Sequence, residues 1–164
     1  MTSFKKILIG IDDSKFAKNA TKTGFDLAKQ FGAAVGLVHI IEAAYVPGPV
    51  SDTTLGMPLE TGTNIASLEM MDIQTHISDD IIANTIKEYG EGLDVTHFTD
   101  YGSTADGIIN CSKEFNADLI VIGTHSRTGF DRLFMGSVAE HVVRHAEMPV
   151  LVVPFPLVEG ENEF

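Results

Sequence analysis

The sequence predicts a doubly wound α/β domain, in which helices cover both faces of a five-stranded parallel sheet. Short runs rich in Ile, Leu and Val recur along the chain, and a stretch with helical periodicity separates each run from the next. Strands that alternate with helices run parallel, and burial on both faces explains why these runs are almost continuously apolar. The 164 residues suffice for one such domain, predicted over residues 1–156, with an acidic tail over residues 157–164.

The first half of the chain contains two predicted strands and one helix. Residues 7–11 form the first apolar run, and the polar residues 12–14 that follow can each cap a helix. This helix ends near Gly32, since glycine favours the left-handed position that stops a helix. Residues 34–41 form the second strand, and the Pro, Gly, Ser and Thr residues of positions 43–65 predict a flexible loop.

The second half repeats the alternation of strands and helices. Strands are predicted over residues 94–99, 118–122 and 149–153. Helices are predicted over residues 66–89, from Ser103 or Thr104 onward, and over residues 137–146. The inward stripe of the first of these helices is predicted to consist of Ile73, Ile77, Ile81, Ile82 and Ile86.

Charge and cysteine usage narrow the class of protein. The chain has 23 acidic and 11 basic residues, a net charge of −12, and no run of Lys and Arg. This charge repels phosphate backbones, so we expect neither nucleic acid nor a membrane as a partner. The single cysteine cannot form an internal disulfide, and no window approaches the roughly 18 apolar residues of a membrane span, so we expect a cytoplasmic protein.

The segment after the fourth strand, GTHSRTGFDRLFMGSVAEHVVRH, has features of an anion site. Gly123 allows a backbone conformation or a close approach that a Cβ would forbid. Gly136 and Ser137 open a helix, whose first turn offers unpaired N–H groups to a phosphate. Arg127 and Arg132 can add charge. In the alternative interpretation Ser137 is only a helix cap and the glycines only shape a turn.

Other phosphate and metal motifs are missing from the sequence. It has neither G-x-x-x-x-G-K-[ST] nor G-x-G-x-x-G after the first strand, which argues against P-loop and Rossmann sites. His141 and His145 are spaced i, i+4, but the glutamate of H-E-x-x-H is absent, so we expect no metal site there.

Several segments together resemble the universal stress protein family: KKILIGIDDS, LVHII, DLIVIGTHSRTG and MGSVAEHVVRHAEMPVLVVP. The family's loop has the form G-x2-G-x9-G-[ST], in which Gly123, Gly136 and Ser137 take the first glycine, the last glycine and the hydroxyl position. Ser126 replaces the middle glycine; its Cβ crowds the phosphates or its hydroxyl donates to them. The resemblance implies the strand order 3-2-1-4-5.

The resemblance also implies a binding site for an adenine nucleotide. Gly10 would lie beside the adenine, the backbone of Ile40 would read the adenine edge, and Asp12 would contact the nucleoside. The ribose and phosphates would be held by Gly123, Thr124, His125, Ser126 and Arg127, and by Gly136, Ser137 and Val138.

The expected function is that of a regulatory module in a stress response, which binds ATP with or without Mg²⁺ and has no catalytic residues. The alternatives are a slow ATP hydrolase or nucleotidyl transferase, and a nucleotide-free interaction protein. We also expect an unidentified protein partner and a homodimer through residues 149–153, because this apolar strand would be an uncovered sheet edge.

Overall fold

The computed structural model describes residues 3–42, 63–124 and 136–155, with the side chains of residues 63–67 excepted. Strands and helices alternate along the chain as the sequence predicts. The elements are β1 (Lys6–Gly10), α1 (Lys15–Phe31), β2 (Ala34–Ile41), α2 (Thr63–Tyr89), β3 (Val95–Tyr101), α3 (Thr104–Phe115), β4 (Leu119–Gly123), α4 (Ser137–His145) and β5 (Val150–Val153). Among these helices, none has the length and apolar character needed to cross a bilayer.

The five strands form one parallel sheet in the order β3-β2-β1-β4-β5, which confirms the predicted fold class. Ile9 in β1 is aligned with Leu37 in β2 on one side and with Val121 in β4 on the other. The chain leaves β1 and β4 toward opposite faces of the sheet, because α1 and α4 pack on different sides. A crevice is expected between diverging connections of this kind, at the carboxyl edge.

Alternating side chains of the strands divide the core into two apolar clusters. Ile7, Ile9, Val35 and Leu37 face α1 and α2 and pack with Phe25 and Ile82. On the other face, Leu8, Val38, Ile40 and Ile120 pack with α3 and α4. The central strands are therefore covered on both sides, as their continuous apolar sequence predicts.

Side chains and left-handed residues fix the ends of the helices. Ser14 is the cap residue of α1 and accepts from the Ala17 N–H at 3.2 Å, while Gly32 ends the helix at φ 64°. In α3 the cap residue is Ser103, so Thr104 is the first helical residue. The N-terminal caps that the sequence left open are thus both serines, which accept well at this position.

Helix α2 differs from the prediction in its start and in its inward stripe. It begins at Thr63 rather than at residue 66, so the predicted loop extends at most to residue 62. Ile73 and Ile77 are 54% and 52% exposed, and the prediction that they face inward was wrong. The helix of 27 residues is about 40 Å long, whereas the seven residues of β3 span about 23 Å. The described α2 side chains that pack into the apolar core lie in its C-terminal half, around Ile82.

A polar network lies beneath α2 and includes a titratable group. His39 Nδ1 and the fully buried Ser78 hydroxyl are 2.8 Å apart, and Ser78 in turn contacts the Thr99 hydroxyl at 3.2 Å. Burial lowers the pKa of His39 below its ordinary value of 6.5, and nearby Asp12 and Asp13 oppose this effect. The fold therefore favours neutral His39.

The lowered pKa of His39 predicts a loss of stability in acid. As the pH falls, His39 is protonated in the unfolded chain at a higher pH than in the folded protein. The contribution of neutral His39 to the unfolding free energy is therefore fully present above the unfolded-state pKa of 6.5, and it is lost as the pH falls through the lower folded-state pKa. We expect the unfolding free energy of His39→Gln to depend less on pH than that of the wild type between about pH 7 and pH 5, measured by urea titration. His97→Gln, at an exposed position of β3, is the control. Equal slopes in wild type and His39→Gln would contradict the prediction.

Candidate functional site

A cavity of about 590 Å³ opens at the carboxyl edge of the sheet, where the chain leaves β1, β2 and β4. Its volume lies in the range of small-molecule sites. The lining residues come from these strand ends and from the starts of α3 and α4. They are Gly10, Ile11, Asp12, Ala17, Val38, Ile40, Glu42, Thr104, Ile108, Ile122, Gly123, Gly136, Ser137, Val138 and Ala139.

The strand ends that form the floor of the cavity are apolar. Val38 and Ile40 from β2 and Ile122 from β4 supply most of this floor, and Ile40 is only 8% exposed. Gly10 lies between these strands, and a Cβ there would stand 3.0 Å from Ile122 Cγ2, tighter than ordinary van der Waals contact. The absence of a side chain at position 10 leaves a surface on which a planar ring can lie.

Asp12 stands at the point where the chain turns from β1 into α1. Its Oδ1 accepts from the Ser14 N–H at 2.7 Å, which holds the side chain in a local turn. The neighbouring Ile11 N–H donates to the Val38 carbonyl oxygen at 2.9 Å and ties the end of β1 to β2. The half-buried Asp12 carboxylate is thereby held beside the apolar floor, where it can accept hydrogen bonds from the hydroxyl groups of a ligand.

Gly123 ends β4 in close contact with the start of α1. A Cβ at this position would lie 2.8 Å from the Phe16 carbonyl oxygen, a backbone atom that cannot move aside. Of the two reasons that the sequence allows for a glycine here, the structure shows the close approach. The next residue, Thr124, donates its N–H to the Val153 carbonyl oxygen at 3.2 Å and extends the pairing of β4 with β5.

The first turn of α4 forms the wall of the cavity above β4. Gly136 is the cap residue, with φ 84° and ψ 146°, and its carbonyl oxygen accepts from the Glu140 N–H at 2.9 Å. Ser137 is therefore the first residue of the helix rather than its cap, and the interpretation that it only caps α4 was wrong. Its exposed side chain lines the cavity beside backbone N–H groups that have no acceptor within the helix.

Two polar residues of the cavity were missed in the sequence. Glu42 follows β2 and Thr104 begins α3, and the Thr104 hydroxyl donates to Glu42 Oε1 at 2.5 Å. Both also line a shallower cleft beside the cavity, together with Ser137 and His141. The available signal was the rule that strand ends and helix starts meet at one edge of a parallel sheet, which applies to β2 and α3 as much as to β4 and α4.

The cavity is polarised across the sheet. Carboxylates follow β1 and β2, whereas the positive end of the α4 dipole lies at the start of α4, which follows β4 in the chain. Because β1 separates β2 from β4, the two sides are about 10 Å apart at the sheet. The arrangement suits a ligand with an anionic group at one end, an apolar ring at the other and hydroxyl or amino groups between or beside them.

The structure brings together seven of the predicted site residues around this cavity: Gly10, Asp12, Ile40, Gly123, Gly136, Ser137 and Val138. Thr124 is described, but its backbone pairs with β5 and it does not line the cavity. His125, Ser126 and Arg127 lie outside the described residues, so their part in the site stays a prediction.

The two histidines of α4, His141 and His145, contact each other and helix α3 at the protein surface. His141 Nε2 lies 3.1 Å from Asp106 Oδ1 on α3, and its ring stacks on that of His145 at 4.1 Å. His145 Nδ1 donates to the carbonyl oxygen of His141 at 2.8 Å. One contact thus joins α4 to α3 and the others lie within α4. His141 also lines the shallower cleft.

Comparison with known proteins identifies the class to which this fold and site belong. The sequence model of the universal stress protein family matches residues 3–154, and the chain belongs to that family. Among individual relatives, Universal stress protein MJ0531 of Methanocaldococcus jannaschii is 30% identical over 153 residues, which cover 93% of this chain and 84% of that protein.

Solved structures of similar fold support the architecture. Hypothetical protein MJ0577 superposes with a TM-score of 0.77 at 23% identity, over 96% of this chain and 100% of that one. A universal stress protein from Archaeoglobus fulgidus in complex with dAMP has a TM-score of 0.60 at 19% identity, over 92% and 98% of the two chains. A universal stress protein in complex with cAMP has a TM-score of 0.58 at 17% identity, over 93% and 98%.

Proposed function

We propose that this chain is a cytoplasmic regulatory protein of the stress response that binds an adenine nucleotide, ATP with or without Mg²⁺, in the cavity at the carboxyl edge. The observation that carries the proposal is the joining of an apolar floor, an Asp carboxylate and a helix N-terminus in one cavity of about 590 Å³. The dAMP and cAMP complexes of two proteins with this fold support it.

Each part of the nucleotide has a matching part of the cavity. The adenine lies on the floor beside Gly10 and Ile40, and the ribose hydroxyls donate hydrogen bonds to the Asp12 carboxylate. The phosphates lie at the first turn of α4, where Gly136–Val138 offers N–H groups, a hydroxyl and the positive end of the helix dipole.

A binding role is favoured over hydrolysis by the placement of the carboxylates. Among the cavity residues that the structure describes, Asp12 and Glu42 carry the titratable side chains, and they follow β1 and β2. Both therefore follow the strands proposed to carry the nucleoside rather than β4. A general base for hydrolysis has to reach the water that attacks the terminal phosphate.

The edge strand β5 supports the further proposal of a homodimer. The carbonyl oxygens of Pro149 and Val153 accept from β4. Because successive residues of a strand point their polar groups to opposite sides, the N–H and C=O groups of Val150 and Val152 point away from β4. Within the described residues β5 has no second neighbour, and pairing with β5 of another copy would satisfy these groups.

Calorimetric titration of protein stripped of bound ligand, with ATP, ADP and AMP in the presence and absence of Mg²⁺, tests the proposed function. We expect saturable binding of ATP with one site per chain. An absence of binding by all three nucleotides, in a sample whose circular dichroism shows the folded protein, would contradict it. Turnover of ATP would instead support the alternative of a slow hydrolase.

Removal of the Ser137 hydroxyl is expected to weaken ATP binding by about 0.5–1.5 kcal/mol, the contribution of one ordinary hydrogen bond. Ser137 is exposed at the helix start and does not cap α4, so Ser137→Ala leaves the fold in place. The matched variant Ser137→Thr keeps a hydroxyl and should bind ATP nearly as the wild type does. Equal affinities of Ser137→Ala and wild type would remove this hydroxyl from the site.

A further inference from the structure

Glu42 occupies a defined place at the rim of the cavity. It is the first residue after β2 and lines the cavity with Val38 and Ile40, which precede it on the same face of the strand. The N–H of Gly102 donates to the Ile41 carbonyl oxygen at 3.0 Å, which holds the end of β2 against the connection into α3. This hydrogen bond holds the backbone directly before Glu42.

The Glu42 side chain is also oriented. Its Oε1 accepts from the hydroxyl of Thr104, the first residue of α3, at 2.5 Å. A carboxylate accepts through both oxygens and donates through neither, so Oε2 is available to an N–H donor of a ligand. The contact with Thr104 restricts the rotamers of a side chain that would otherwise lose much of its freedom on binding.

The position of Glu42 relative to the other polar groups limits what it can contact. In the order of the strands it follows β2, two strands away from β4, and it shares the shallower cleft beside the cavity with Ser137. Asp12, which follows β1, lies between these two sides in the order of the strands. Glu42 is therefore the cavity carboxylate that lies farthest from β4 in strand order, and it follows Val38 and Ile40 on the same face of β2.

We propose that Glu42 is a specificity-determining residue, which accepts a hydrogen bond from the exocyclic amino group of the bound base, and that Thr104 positions it. This inference rests on the proposed nucleotide site. A base without an amino group leaves Oε2 without a ligand donor, and a base with a carbonyl oxygen there places two acceptors against each other. The Glu42 side chain consequently selects amino-bearing bases.

The test is a cycle in which the carboxylate and the amino group are removed separately and together. The ligands are ATP and purine riboside 5′-triphosphate, which lacks the 6-amino group and is otherwise the same, and the proteins are wild type and Glu42→Ala. We expect wild type to bind ATP about tenfold more tightly than the analogue, in keeping with a hydrogen bond to a charged group, and Glu42→Ala to reduce this ratio to about twofold or less. Because both ligands carry the same triphosphate, the ratio is insensitive to the lost negative charge.

The control is Glu114→Ala, which removes an exposed glutamate from the far end of α3 and should leave the ratio at the wild-type value. A ratio that is the same in Glu42→Ala as in wild type, with ATP still bound, would overturn the role of Glu42 and leave the proposed function standing. No binding of ATP by the wild type would overturn both.

Variants at Thr104 test the positioning role independently. Thr104→Val removes the hydroxyl and keeps the shape, so we expect the ratio of affinities to fall to an intermediate value, while Thr104→Ser restores it. A general structural role of Thr104 would change the affinity for both ligands by the same factor. An unchanged ratio in Thr104→Val would therefore show that the contact between Thr104 and Glu42 has no part in selecting the base.

Discussion

Replacement of Gly136 by Val is expected to weaken ATP binding by roughly fivefold to a hundredfold, one of the two largest effects that we predict. Gly136 has φ 84° and ψ 146°, a conformation that is essentially reserved for glycine. A β-branched residue there costs about 1–3 kcal/mol, and the chain can relieve this strain only by rotating the backbone at the start of α4. That rotation turns away the N–H groups proposed to bind phosphate. Calorimetry with ATP measures the loss.

Gly92→Val separates this effect from a general loss of stability. Gly92 also has a positive φ, 77°, but it lies in the turn before β3, with open space around it and away from the cavity. Both variants should unfold at lower denaturant concentration than the wild type, and only Gly136→Val should lose affinity. Similar ATP affinities for the two variants would place the phosphates elsewhere.

Lysine at both positions 150 and 152 is expected to convert the proposed dimer into a monomer. The backbone groups of these two residues point outward from the sheet edge, and four lysines would be brought together across a two-fold axis. Sedimentation velocity at micromolar concentration measures the change. The control, Thr96→Lys with His97→Lys, places the same charges on exposed residues of β3, the opposite edge, and should leave the dimer intact.

A proline at Val152 tests the same interface without added charge. Val150 and Val152 also pack against the cluster beneath α4, so lysines there reduce stability as well as association. Val152→Pro removes an N–H that points away from β4 and keeps the pairing within the sheet. A wild type that is monomeric at micromolar concentration, or dimers that persist in both variants, would contradict the proposed interface.

The fold could be predicted from the sequence because the apolar runs need burial on both faces and the helices between them connect parallel strands. Five apolar runs separated by helical stretches favour a parallel sheet covered on both faces, and the strand order followed from the family resemblance. Helix α2 shows where the pattern fails. Ile73 and Ile77 have the spacing of core residues, but periodicity cannot tell that α2 is longer than the strands it covers.

The candidate site was predicted best where a backbone constraint has a sequence signal. Gly123 and Gly136 are required by a close approach and by a positive φ, and both are visible as glycines at a fixed spacing. Glu42 and Thr104 have no such signal, because their contact joins positions 62 residues apart in sequence. Only the packing of α3 against β2 brings them together.

The close approach of α3 to the cavity floor links the thermodynamics of the helix to the shape of the site. A Cβ at Gly107 would lie 2.5 Å from Ile40 Cδ1, on the floor beneath the proposed base. Glycine inside a helix costs about 1 kcal/mol relative to alanine, but the Cβ of an alanine at this buried position would overlap Ile40 and force it to shift, at a cost of about 1–3 kcal/mol. Helix propensity and packing thus favour different residues at position 107, and the glycine found there weakens the helix but lets α3 lie close against Ile40 and the cavity floor.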